Sequence, residues 1–134
     1  MRSFVLLDSW RSIPQRAQHL VVRSYADING LDIEFYGDEL YGYEHNHSIL
    51  IDYLENGLYE AYLFFSIHQF RKSRKSNVIS FEQIDFLHSN YEIPFFFALE
   101  GIAIKNRKDL ANVRLDIFAY NIIVENDSIV IPGI

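Results

Sequence analysis

Ser66, His68 and Gln69 stand close together where an apolar run ends, in EAYLFFSIHQFRK over residues 60–72. A hydroxyl, an imidazole and an amide at that spacing could move a proton and hold a hydroxylated ligand. The serine would donate, the histidine would titrate near neutrality, and the glutamine would donate and accept together. Glu100, between FFFAL and Gly101, adds a carboxylate that could serve as a general base or pair with Arg11. Ser66, His68 and Glu100 are therefore the candidate catalytic residues. A second group follows another short apolar run, SFVLL, and contains Asp8, Ser9 and Arg11. An arginine beside a helix start suits bidentate recognition of carboxylate or phosphate. Gln15 and Gln18 suit sugar hydroxyls or amides, and Tyr41, beside Asp38, offers a ring face. Ser9, Arg11, Gln15, Gln18, Tyr41 and Gln69 are the candidate ligand-binding residues. Each has a plainer reading: loop formation for Asp8 and Ser9, satisfaction of nearby backbone for Ser66, loop pinning for Gln15 and Gln69.

Composition narrows the classes. The 134 residues are 49% hydrophobic and 22% charged, enough to bury close to ~70% of the unfolded chain's surface in one domain, residues 1–134. The chain has no cysteine, which removes disulfides, thiolate nucleophiles and Cys-based metal sites. No apolar run has the length of a signal-peptide core or a membrane span, so a cytoplasmic place is expected. A formal charge of −6 argues against nucleic acid as a partner, because phosphate neutralisation needs a concentrated basic surface. The short basic run from Arg71 to Lys75 reads as a solvated loop flank, with a phosphate-facing role as the other possibility. His45-Asn46-His47 with Glu44 has metal-like composition but no third ligand at recognisable spacing, so no metal site is expected, and no cofactor. Dinucleotide, Walker and nucleophile-elbow motifs are absent.

The elements that must position these residues follow from hydrophobic periodicity. SFVLL, LDIEFY (31–36), residues 60–66 and EIPFFFAL (92–99) read as strands. Pro94 is tolerated near a strand start but not in its paired middle. A first helix runs to about Asp27, with Ser12 and Gln15 as a capping box, Pro14 in the first turn, and Ala17, Leu20, Val21 and Tyr25 along one stripe. A second covers about Ser48 to Asn56, and a third ends near Ser89 with Ser80 and Gln83 as another possible box. Beyond Glu100 the pattern weakens. GIAI suits a short edge strand and Lys108–Asn112 a helical turn. Leu115 to Val124 fits helix and strand equally, and Asn126-Asp127 suggests a hairpin, so residues 113–134 form a less certain extension. Strands alternating with helices imply an α/β fold: a three-layer α/β/α domain with a mainly parallel sheet of four to five strands. Ligands of such sheets bind outside the carboxyl ends of the strands, where the order reverses. Both candidate groups belong at that edge.

The series SIPQRAQHLVVRSYADINGL, FFSIHQF and FFFALEGIAI resembles the sporadic carbohydrate cluster proteins, over most of residues 9–104. Its most specific parts are Ile13-Pro14-Gln15 with Gln18, Arg23-Ser24-Tyr25, Ser66 with Gln69, and Glu100; the tail after about Val113 departs from it. The resemblance implies a role in surface-polysaccharide synthesis without specifying a reaction. More distantly, the layout is similar to the serine recombinase (resolvase) catalytic domain, which implies strand order 2-1-3-4. That family's arginine-serine motif would fall on Leu7-Asp8-Ser9, and its second arginine motif on His68 to Ser73. The serine is kept, but Leu7, Gln69 and Lys72 occupy the arginine positions. The arginines that would hold the scissile phosphate are thereby replaced, and with a net charge of −6 recombination is not expected.

Two functions of different class follow. One is a small protein of surface-carbohydrate biosynthesis that binds or processes an anionic sugar-type metabolite, such as a sugar phosphate or nucleotide sugar, at the strand ends. The other is a non-catalytic partner or regulatory module of a glycan-biosynthesis enzyme, with self-association as a further possibility.

Overall fold

In the computed structural model, residues 1–8, 13–39, 48–73 and 76–130 are described, excepting the side chains of 35–39, 48, 49 and 126–130. Strands β1 (Arg2–Asp8), β2 (Asp32–Glu39), β3 (Ala61–Phe64), β4 (Phe95–Phe97) and β5 (Ile102–Ile104) form one sheet, in the order β2-β1-β3-β4-β5. The first three pairings are parallel, and β4 with β5 is antiparallel. Helices α1 (Gln15–Asn29), α2 (Ser48–Asn56), α3 (Phe81–Tyr91) and α4 (Arg107–Val130) complete the α/β architecture that the alternating pattern implies.

The alternation of side chains along each strand divides the core in two. Phe4, Leu6, Tyr62, Phe64, Phe95 and Phe97 point to one face, where Leu50 and Leu54 of α2, Ile84 and Leu87 of α3, and Leu110, Val113 and Ile117 of α4 cover them. Val5, Leu7, Leu63, Phe65 and Phe96 point to the other, covered by Val22 and Ala26 of α1. Every residue from Ser3 to Asp8 is buried, as a strand enclosed on both faces requires. Pro94 precedes β4, and its carbonyl accepts from the Tyr62 N–H at 3.0 Å, so the ring sits where no ladder donor is needed.

Three details differ from the sequence expectation. Pro14 is the N-cap of α1 and Gln15 its first residue, so Gln15 cannot be the third-position partner of a capping box; Ser12 lies outside the described residues. The buried stripe of α1 is Gln18, Val22 and Ala26, while Leu20 is 66% exposed. Small side chains there let the helix sit close to the sheet, and a buried glutamine is invisible to a hydrophobicity pattern. At α3, Ser80 is the N-cap but makes no side-chain cap bond.

The largest difference is α4. One continuous helix replaces the expected turn, ambiguous segment and hairpin at Asn126-Asp127. No Gly or Pro interrupts Arg107–Val130, and Asn or Asp costs a growing helix interior only ~0.7 kcal/mol or less per residue. Its start is well specified. Asn106 Oδ1 accepts from the Asp109 N–H at 2.9 Å, and the Asp109 carboxylate accepts from the Lys105 N–H at 3.0 Å. Leu110, Val113 and Ile117 are all less than a tenth exposed, and each stabilises the docked helix by ~1.5–3 kcal/mol.

Candidate functional site

The strand β3 ends in a capping box that the sequence placed elsewhere. Ser66 is the N-cap of a single 3-10 turn, Ile67–Phe70. Its Oγ accepts from the His68 N–H at 3.1 Å, and Gln69 Oε1 accepts from the Ser66 N–H at 3.0 Å. The other end of the Gln69 amide donates to the Leu6 carbonyl at 3.2 Å, tying the turn to β1. Ser66 and Gln69 are both completely buried. Glu100 lies in the turn between β4 and β5, which Gly101 closes with a φ of +67°, a value that favours glycine. The carboxylate reaches back to the 3-10 turn, accepting from Ser66 Oγ at 2.7 Å and from the Ile67 N–H at 2.8 Å.

A serine and a carboxylate 2.7 Å apart have the spacing of a nucleophile and its base. Here the hydroxyl has no exposed surface for an electrophile to reach, and each carboxylate oxygen holds a backbone or side-chain donor of the turn. In this arrangement the trio joins β1, β3 and the β4–β5 turn at the carboxyl edge.

The second candidate group, after β1, behaves alike where it is described. Gln18 is fully buried; its Oε1 accepts from the Asp8 N–H at 2.8 Å, and its Nε2 donates to the carbonyls of Asp8 at 2.9 Å and Ile13 at 3.1 Å. A side-chain amide thus extends hydrogen bonding past the point where β1 leaves its neighbours. Gln15 is exposed at the opening of α1. Ser9, Arg11 and Tyr41 lie outside the described residues, as do the His45-Asn46-His47 segment and the Asp38 side chain. Among the described residues no group of three or more His, Asp or Glu side chains could hold a metal ion.

Arg71 is not a solvated flank. It is 7% exposed, and its guanidinium donates to Asp8 Oδ2 at 3.2 Å and to the His68 carbonyl at 2.9 Å. Asp8 is 1% exposed, so its charge needs this partner and the pair joins the two candidate groups.

Among the described residues, a cavity of about 200 Å³ is lined by Ile67, His68, Ile79, Glu100, Ile102, Asp116, Ile117 and Tyr120. The half-buried His68 ring stands 5.5 Å from the Tyr120 ring, nearly perpendicular to it at 75°. The isoleucines supply an apolar floor, and Glu100 and Asp116 bring carboxylates. The α4 side of the wall is held in place by Asn121, whose amide donates to the Ile79 carbonyl and accepts from the Ile79 N–H, both at 2.9 Å. Asp116, Ile117, Tyr120 and Asn121 were not expected at the site because the helix carrying them was not assigned. The spacing of Leu110, Val113, Ile117 and Tyr120, alternately three and four residues, was the available signal.

No protein-family model matches the chain, and no curated protein does. The sporadic carbohydrate cluster resemblance therefore gains no support from them. Among solved structures, the chain is similar to the N-terminal catalytic domain of TP901-1 integrase. The likeness has a TM-score of 0.61 at 14% identity and covers 94% of this chain and 98% of that one. At that identity the likeness shows the fold alone, so this chain has the resolvase-like fold that the distant resemblance implied.

Proposed function

We propose that this protein binds a sugar-type metabolite at the carboxyl edge of its sheet and performs no bond chemistry on it, as a small binding component of surface-carbohydrate biosynthesis. The observation that carries the reading is the contrast between two sets of polar groups. Ser66, Gln69 and Glu100 spend hydrogen bonds inside the protein, and beside them the His68 and Tyr120 rings, the isoleucines and Asp116 line an accessible cavity. Ring faces and carboxylates around an apolar floor suit a sugar ring, which offers C–H faces and hydroxyl donors. At about 200 Å³ the space is smaller than the ~300–1,000 Å³ of sites that enclose drug-sized ligands, and it suits one ring. An anionic substituent would be repelled by the two carboxylates and would need another anchor. The carbohydrate class comes from the sequence resemblance.

Titration calorimetry with monosaccharides, sugar phosphates and nucleotide sugars tests the proposal, using the wild type, Tyr120→Ala and Asp116→Asn. The expected result is binding by at least one class that both substitutions weaken. Absence of heat from every class, or binding indifferent to both substitutions, overturns it.

A further inference from the structure

The cavity between the 3-10 turn and α4 is electrically one-sided. Its described lining brings the carboxylates of Glu100 and Asp116, and no lysine or arginine. Both carboxylates belong to exposed residues, and neither has an ion-pair partner among the described residues. Glu100 spends one acceptor site on Ser66 Oγ at 2.7 Å and one on the Ile67 N–H at 2.8 Å. A carboxylate has about four such sites, so roughly half remain for a ligand. Asp116 has no hydrogen-bond partner among the described residues and keeps all of its own.

Two carboxylates on one small cavity repel each other. A neutral hydroxyl leaves that repulsion in place, whereas a bound cation removes it. The Tyr120 ring acts in the same direction, because a tyrosine attracts a cation placed over its face within ~6 Å of its centre. Ile67, Ile79 and Ile102 supply an apolar floor for the rest of the ligand. Resting on the sugar-binding reading above, we propose that the ligand is an amino sugar with a free amine, whose ammonium is held by the Asp116 carboxylate. The remaining acceptor sites of Glu100 take ring hydroxyls, and its charge adds to the attraction. A free amine is required because acylation removes the charge and adds bulk to a space of about 200 Å³, which suits one ring.

Titration calorimetry on the full chain at neutral pH tests this with glucose, glucosamine, 6-amino-6-deoxyglucose and cyclohexylamine. Glucose has the ring without the charge, the two amino sugars carry the ammonium at different carbons, and cyclohexylamine has the charge without the hydroxyls. At least one amino sugar is expected to bind about tenfold more tightly than glucose, the advantage of a charge-assisted hydrogen bond over a neutral one. Asp116→Asn is expected to reduce that preference by about threefold or more, with an unchanged melting temperature because the residue is exposed. Glucose binding as tightly as both amino sugars overturns the inference and leaves the sugar reading standing. Cyclohexylamine equal to the better amino sugar overturns both, because the hydroxyls then contribute nothing. A preference unchanged in Asp116→Asn puts the amine elsewhere and overturns the inference alone. Absence of heat from all four compounds overturns it together with the sugar reading.

Discussion

Replacing Gln69 by alanine tests whether this residue holds the carboxyl edge together. The substitution removes the acceptor for the buried Ser66 N–H and one of two donors to the Leu6 carbonyl, which keeps the Phe65 N–H at 3.2 Å. A buried donor without a partner costs ~1–3 kcal/mol, and the volume vacated in a fully buried site adds ~1 kcal/mol. The expected loss is therefore ~2–4 kcal/mol, a large share of the ~5–15 kcal/mol that typically stabilises a domain. Urea unfolding followed by circular dichroism measures it, with the midpoint falling at an unchanged slope. Gln69→Glu sharpens the test. A carboxylate can still accept from Ser66, but its second oxygen would oppose the Leu6 carbonyl. That variant should be the less stable of the two at neutral pH and recover as acid protonates it. A Gln69→Ala protein within ~0.5 kcal/mol of wild type would refute the reasoning, because that is the range of ordinary surface substitutions.

Other perturbations follow from the same packing. Arg71→Met removes the guanidinium that faces the buried Asp8 carboxylate and is expected to cost ~3–5 kcal/mol in urea unfolding; adding Asp8→Asn should recover much of the loss. Tyr62 is fully buried with its hydroxyl unpartnered, and burial raises its pKa, so Tyr62→Phe should be neutral or stabilise by ~1 kcal/mol in thermal melts. His88 is buried against Phe95, and burial lowers its pKa below 6.5, outweighing the Ile104 carbonyl and the nearby Glu92, Asp109 and Asp85. The unfolded chain therefore takes up the proton first. The stability from keeping His88 neutral is complete above pH 6.5 and is lost as pH falls from there through the lowered value. Unfolding free energies measured across that window should show the loss in wild type and a flatter profile in His88→Gln.

Much of the fold was legible because its signals are local. SFVLL and EAYLFF are apolar without interruption, as strands buried on both faces must be, and Asn29-Gly30 marks a helix end that the structure has, with Gly30 at φ +68°. Ser66, Gln69 and Glu100 were legible as a constellation, since each follows directly from where an apolar strand stops. Their partners were not. A glutamine at a strand end reads the same whether it holds a ligand or a carbonyl of a strand sixty residues away. Arg71 could not be told from a solvated arginine until β1 brought Asp8 beside it.

The sequence by itself determined the strands, the first three helices and the edge of the sheet where polar residues gather, because hydrophobic period and turn chemistry act over a few neighbouring residues. Only the tertiary structure decided which of those polar residues are consumed in joining β1 to β3 and the β4–β5 turn. It also decided that α4 is one helix whose Asp116 and Tyr120 complete the cavity. Both depend on contacts between distant segments: a hydrogen bond's partner and a helix's buried side are fixed by which strand or sheet face the chain returns to, and in α4, apolar on two sides, the spacing of Leu110, Val113, Ile117 and Tyr120 marks a helix without saying which side is buried.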